Sequence, residues 1–251
     1  MAHRGASVEA PENTLAAFEA AASAGADLIE MDVRLTADRV AVVLHDPDVG
    51  ATTDGSGPVH TLSLQDVKRF DASRGRGPKQ EIPTLREALE SIGGHPGLGV
   101  DLEIKNIAGE PSFDSPRETA VEEALQTVAD VGFAGFVMVS SFNWLTIERS
   151  KRLAPAIPTG FLTVASIDPL AALVYAMEAG HEFVLPQAPA LLEAGESFVR
   201  EAHAEGLRVG TWTVDDEEAI ATLFRWRVDA IASNDPRLAV AVRNRVASVQ
   251  E

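Results

Sequence analysis

Two short stretches carry acidic side chains at a spacing that a strand would turn into a site. In Leu28-Ile29-Glu30-Met31-Asp32-Val33, Glu30 and Asp32 stand two apart and alternate with apolar neighbours. On a strand, residues i and i+2 share a face, so both carboxylates point inward while Ile29, Met31 and Val33 face the other way. Asp101-Leu102-Glu103-Ile104-Lys105 repeats the pattern. Carboxylates gathered at one interior site repel, and a divalent cation is the simplest remedy. A second group is His3-Arg4-Gly5, where Gly5 permits a sharp exit that presents His3 and Arg4 at a rim. His45 follows the apolar run Val40–Leu44 and precedes Asp46-Pro47, a chain-turning pair, so it too sits at a strand end. His60, His95, His181 and His203 fall in loops or on helices and read as structural or solvated.

Hard oxygen ligands, no cysteine and little histidine suit Mg²⁺ or Ca²⁺ better than Zn²⁺. Arg4 and Lys105 suit a phosphate. Two imidazoles that titrate near neutrality suit a reaction that removes a proton from one oxygen and gives one to another. Cleavage of a phosphodiester needs all three provisions.

The elements that must position these residues alternate along the chain, as in a parallel α/β fold. Strands are expected at Leu28–Val33, Val40–Leu44, Val100–Ile104, Phe136–Ser140, Thr159–Leu162, Phe183–Leu185, Arg208–Thr213 and Ala230–Ser233. Helical stretches between them include Thr14–Ala24, Arg117–Val131, Trp144–Leu153 and Glu217–Arg225. With Val40–Leu44 taken as a hairpin extension and a stub before Gly5 taken as the first strand, eight parallel strands remain. That is a TIM-like (β/α)8 barrel, and 251 residues match one such domain. Asp46–Pro83, rich in Gly, Pro, Ser and Thr, reads as a small insertion on the lid side of the barrel, with a helix near Leu64–Phe70. Asn106–Pro116 is a shorter loop. Both follow strand C-termini, where barrel enzymes carry functional loops.

The formal net charge of −17 opposes nucleic acid and anionic membrane surfaces as partners, leaving a small anionic substrate held by local cations. No stretch reaches the apolar length of a membrane span. Cysteine is absent and no signal-peptide pattern precedes the first motif, so the cytoplasm is the expected compartment. Oligomeric state is left open.

Taken in order, the chain resembles the glycerophosphodiester phosphodiesterase family. The matching text is His3-Arg4-Gly5, Pro11-Glu12-Asn13-Thr14, Glu30-Met31-Asp32-Val33 with Thr36 and Asp38, His45-Asp46, Ile82-Pro83-Thr84-Leu85, Leu102-Glu103-Ile104-Lys105, Ser141-Phe142 and Trp212-Thr213-Val214. The resemblance implies Glu30, Asp32 and Glu103 as ligands of a divalent metal, His3 and His45 as the acid–base pair, and Arg4 and Lys105 as phosphate contacts. It implies Trp212 as a wall against the glycerol or alcohol moiety. The reaction implied is hydrolysis of a glycerophosphodiester to glycerol phosphate and an alcohol. Alternatives are a related barrel acting on a lysophospholipid and a catalytically silent barrel that binds phosphodiesters. Pro11–Thr14 also reads as an ordinary helix start. The segment Ser233-Asn234-Asp235-Pro236 stands where the family usually has Thr-Asp-x-Pro; Asp235 is expected to cap the last helix, apart from the chemistry. With only Met1 and Ala2 before His3, the lower barrel beside the last strand is expected to be open or filled by side chains.

Overall fold

The computed structural model describes residues 1–250, with side chains to Ser248. β1 (Leu28–Leu35) turns back into the antiparallel β2 (Ala41–Val43). β3 (Gly99–Ile104), β4 (Val137–Ser141), β5 (Thr159–Thr163), β6 (Phe183–Pro186), β7 (Arg208–Thr211) and β8 (Ala230–Ile231) follow, each parallel to its neighbour. The order across the sheet is β2-β1-β3-β4-β5-β6-β7-β8. A single residue joins its ends: Ala2 bridges Ile29 on one side and Ser233 on the other. The Ala2 amide donates to Leu28 O at 2.8 Å, its carbonyl accepts from the Glu30 amide at 2.9 Å, and the His3 amide donates to Ser233 O at 2.9 Å. The fold is therefore a TIM-like α/β barrel with the β1–β2 hairpin as an arm outside the ring. Below the Ala2 bridge, a cleft of about 160 Å³ lies between Met1, Leu28, Phe224, Ala230 and Arg243.

The helices alternate with the strands: α1 (Leu15–Ser23), α2 (Leu64–Val67), α3 (Leu85–Ile92), α4 (Thr119–Val131), α5 (Trp144–Leu153), α6 (Pro169–Ala179), α7 (Ala188–Ala194), α8 (Glu196–Ala204), α9 (Glu217–Arg225) and α10 (Pro236–Gln250). Their starts follow the local sequence. Thr14 caps α1, Thr84 and Glu87 form a capping box on α3, and Asp235 accepts from the Leu238 amide at 2.9 Å with Pro236 opening α10. α4 begins at Thr119, two residues later than the apolar pattern suggests. Glu118 takes a left-handed conformation (φ 59°), and its buried carboxylate accepts from Asn106 at 2.7 Å and Thr146 at 2.6 Å. α2 is also shorter than expected, ending at Val67 rather than Phe70. β7 and β8 stop short of Thr213 and Ser233 because there the chain leaves its ladder, Trp212 bridging Gln187 and Ser233 bridging Ala2.

Outward residues of the strands pack on the helices: Ile29, Met31, Leu102 and Ile104 meet Phe18 and Leu89, while Val184 and Val209 meet Phe198, Ile220 and Leu223. Inside the ring, Met138, Leu162, Phe183 and Leu185 form a separate apolar cluster. Gly160 and Gly210 make room for it, since a Cβ there would lie 2.6 and 2.5 Å from the Leu185 side chain. The inserted segment builds its own small core from Val49, Val59, Val67 and Ile82 against Val42 and Leu44.

Candidate active site

The site begins with a backbone constraint. Gly5 has φ +81°, and a Cβ there would meet Ala17 backbone atoms at 2.7 Å, so the turn after His3-Arg4 is pressed directly onto α1. Arg4, itself left-handed at φ 56°, is thereby aimed back at β1. Its amide donates to Glu30 Oε2 at 2.8 Å, its Nε lies 3.2 Å from Asp32 Oδ2, and its Nη1 donates to Glu12 Oε1 at 2.9 Å. The β1–β3 ladder sets Glu30 beside Asp101 and Asp32 beside Glu103. Lys105 Nζ reaches back over the end of β3, 2.9 Å from Asp32 Oδ1 and paired with Glu103. The same ammonium lies 5.8 Å from the centre of the Phe142 ring, which meets Trp212 edge-on at 5.3 Å. The Trp212 indole donates to Leu185 O at 3.0 Å and, with His3, Glu30 and Glu103, lines the depression at the barrel's centre.

Two imidazoles face this cluster. His3 Nδ1 lies 2.8 Å from Asn234 Oδ1. Asn234 turns its oxygen that way because its amide NH₂ donates to Asp215 at 2.6 Å and Ser7 Oγ also donates to the oxygen at 3.0 Å. That network assigns the His3 proton to Nδ1 and leaves Nε2, 4.0 Å from Glu30 Oε2, as the basic nitrogen. His45 stands at the end of the hairpin arm, its carbonyl fixed by Arg34 Nε at 2.7 Å and its Nδ1 3.4 Å from Asp46.

Burial dominates the electrostatics. It raises Glu30 well above the usual carboxylate range, with repulsion from Asp32 and Glu103 adding to it. Burial raises Glu103 as well, against the opposing pull of Lys105. For Asp32, burial is outweighed by Lys105 and Arg4, and the carboxyl is held below its ordinary value. Desolvation lowers both His3 and His45; Arg4 adds to the shift at His3, and Lys105 and Arg4 at His45. Both rings therefore hold a proton less tightly than a free imidazole. Glu30, Asp32 and Glu103 each offer an oxygen within 4.8 Å of the others. Oxygens on one Ca²⁺, about 2.3–2.6 Å from it, lie at most about 5 Å apart. Glu30 Oε1 is buried with no partner, the condition a cation would relieve. The residues present fit such a metal.

The family model for the glycerophosphoryl diester phosphodiesterase family matches residues 3–238. The chain belongs to that family. Among its relatives, a glycerophosphodiester phosphodiesterase of Caldanaerobacter subterraneus subsp. tengcongensis is 35% identical over 94% of this chain and 93% of its own. A putative glycerophosphodiester phosphodiesterase of Bacillus subtilis is 34% identical, covering 94% of each. Among solved structures, an Oleispira antarctica phosphodiesterase in complex with the product sn-glycerol-3-phosphate superposes with a TM-score of 0.86 at 28% identity, over 97% of this chain and 95% of the other. Membership of the family makes the chain an enzyme, a phosphodiester hydrolase of the glycerophosphodiester class.

Within this family member, the structure brings together all eight residues singled out from sequence: His3, Arg4, Glu30, Asp32, His45, Glu103, Lys105 and Trp212. It also corrects two readings. Pro11–Thr14 is more than a helix start: Thr14 caps α1, but Glu12 pairs with Arg4 and Asn13 donates to Asp32 Oδ2 at 2.7 Å. The segment Ser233–Pro236 does not stand apart from the chemistry, because Asn234 orients His3. Asn13 had a sequence signal in its motif. Asn234 and Asp215 had none, their target lying at the other end of the chain.

Proposed function

We propose that the chain cleaves glycerophosphodiesters to glycerol phosphate and an alcohol by acid–base catalysis between His3 and His45. The observation that supports this reading is the convergence of three buried carboxylates, two cations and two imidazoles at the C-terminal ends of β1 and β3. Glu30, Asp32 and Glu103 would hold Mg²⁺ or Ca²⁺, which when bound draws charge from a non-bridging phosphoryl oxygen. Arg4 and Lys105 supply fixed positive charge to the same phosphoryl group and stabilise the charge that develops on its oxygens. One imidazole, unprotonated, takes a proton from the attacking water or hydroxyl, while the other, in its protonated form, donates to the leaving oxygen and is left neutral. Asn234 keeps the His3 proton on Nδ1, so Nε2 is the working atom. Trp212, braced by Phe142 and by Leu185 O, walls the glycerol side.

In this reading the substrate is a small diester and not a nucleic acid, in keeping with the −17 charge, and the setting is cytoplasmic. Among the described residues no helix is long and apolar enough to cross a membrane. The inserted segment 46–83 belongs to the same single domain and forms one wall beside the site, Arg76 donating to Ser7 O and Val8 O at 3.1 and 2.7 Å. The test is release of glycerol phosphate from glycerophosphocholine, glycerophosphoethanolamine and glycerophosphoglycerol by chelated protein, with Mg²⁺, Ca²⁺ or Mn²⁺ added back. Turnover is expected only after metal addition. Full activity in chelator would sink the metal's role, and inertness of the metal-loaded protein toward all three diesters would sink the reaction.

A further inference from the structure

The β1–β3 ladder ends where Val33 pairs with Ile104. Past that pair the chains part: Arg34 and Leu35 continue up the hairpin arm, and Lys105 leads into the loop before α4. Between them opens a cleft of about 340 Å³, closed on its third side by Val59 and His60 of the insertion. That volume lies in the range of small-molecule sites.

Its charge runs against the rest of the molecule. In a chain of net −17, the cleft is lined by Arg34, Arg39, Lys105 and Arg117, with Asp114 as its one acidic residue. Arg34 is spent on Glu110, at 2.6 and 3.1 Å, and Arg39 on Glu123 at 2.7 Å. Arg117 makes no ion pair among the described residues. A cleft whose charged lining is mostly cationic, with one guanidinium free of any carboxylate, offers an anionic ligand a charge-assisted partner.

The cleft adjoins the catalytic centre. Lys105 lines it and touches Asp32, and Arg34 holds the carbonyl of His45. Trp212 and Phe142 wall the centre elsewhere. A phosphodiester carries two substituents that diverge from phosphorus, so glycerol against Trp212 leaves the other to a different wall of the site. We propose that this cleft receives the alcohol half of the diester and selects alcohols that carry an acidic group, bound by Arg117. The inference rests on the phosphodiesterase reading and adds to it the class of leaving alcohol.

A matched pair of substrates tests it: the glycerophosphodiester of 4-hydroxybutanoate and that of 1,4-butanediol, alike in length and differing in charge. With metal-loaded enzyme at low salt, kcat/KM is expected to favour the acid by roughly tenfold, the worth of one good charge-assisted contact. The preference should shrink with added salt, because Arg117 lies near solvent. The ratio should approach one in Arg117→Ala and fall below one in Arg117→Glu. Hydrolysis of both diesters with no preference, or a preference that survives both Arg117 substitutions, would overturn the cleft's role while leaving the reaction standing. Failure to hydrolyse either would overturn both.

Discussion

The two halves of the barrel interior solve the same packing problem with opposite chemistry. β1 and β3 turn Glu30, Asp32, Asp101 and Glu103 inward, whereas β4, β5 and β6 turn Met138, Leu162, Phe183 and Leu185 inward. The two regimes meet without a spacer, since Asp101 is paired across the ladder with Met138. Burying a carboxylate costs free energy unless it is paired, and the charged half leaves Glu30 Oε1 and Asp101 Oδ1 without partners. The apolar half gains free energy from each side chain it removes from water. One half therefore carries the chemistry at a cost in stability that the other offsets, and the substitutions below separate the two roles.

The largest effect is expected from the imidazoles. His3→Ala or His45→Ala should lower kcat by roughly 10²–10⁴-fold with the melting temperature nearly unchanged, the usual contribution of a general acid or base. The double variant should lose less than the product of the single losses, because the two act in one step. Near-normal turnover in either single variant would remove that residue from the mechanism. In the apolar half the reverse is expected. Phe183→Ala, at the start of β6 and away from the site, should cost about 3–5 kcal/mol in denaturant unfolding, while the folded fraction retains its turnover.

Residues that orient the charged half come next. Asn234→Ala or Asn13→Ala should reduce activity by about 10–100-fold, the typical loss when a partner of a ligand or catalytic side chain is removed. A loss equal to that of His3→Ala would mean that Asn234 does more than orient the ring.

The smallest effect lies where the halves touch. Burial pushes Asp101 up to about 7 from an ordinary 3.8, so the folded protein holds its proton more tightly than the unfolded chain. The stabilisation from that proton is fully present below pH 4 and is lost as pH rises through 7. In chelated protein, melting temperature should decline across that window and Asp101→Asn should flatten the decline. A parallel decline in both proteins would show that Asp101 does not set it.

The legibility of these features follows their range in the chain. Strand phase is local, so the inward set Glu30, Asp32, Asp101, Glu103 and Lys105 was readable from alternation alone, and the helix starts at Thr14 and Asp235 from single residues and their followers. The alternation of strands and helices determined the barrel class once Val40–Leu44 was counted as a hairpin extension, and its antiparallel pairing with β1 bears that out. Boundaries were less legible where a side chain has a distant partner, as at Glu118, whose contacts to Asn106 and Thr146 delay α4.

What the sequence by itself determined, then, is which residues face inward and in what order the elements come, because backbone periodicity depends on near neighbours only. Tertiary structure alone decided which of those residues meet and how deeply they are buried. Asn234 reaches His3 across 231 positions, and closure of the ring by Ala2 against both Ile29 and Ser233 is what brings them together. Asp101 and Glu103 share one strand face and one pattern, yet the register against β1 sets Asp101 beside Glu30 and Glu103 beside Asp32 and Lys105. That choice belongs to the packing of the whole barrel, since no local signal carries the depth at which a strand is held.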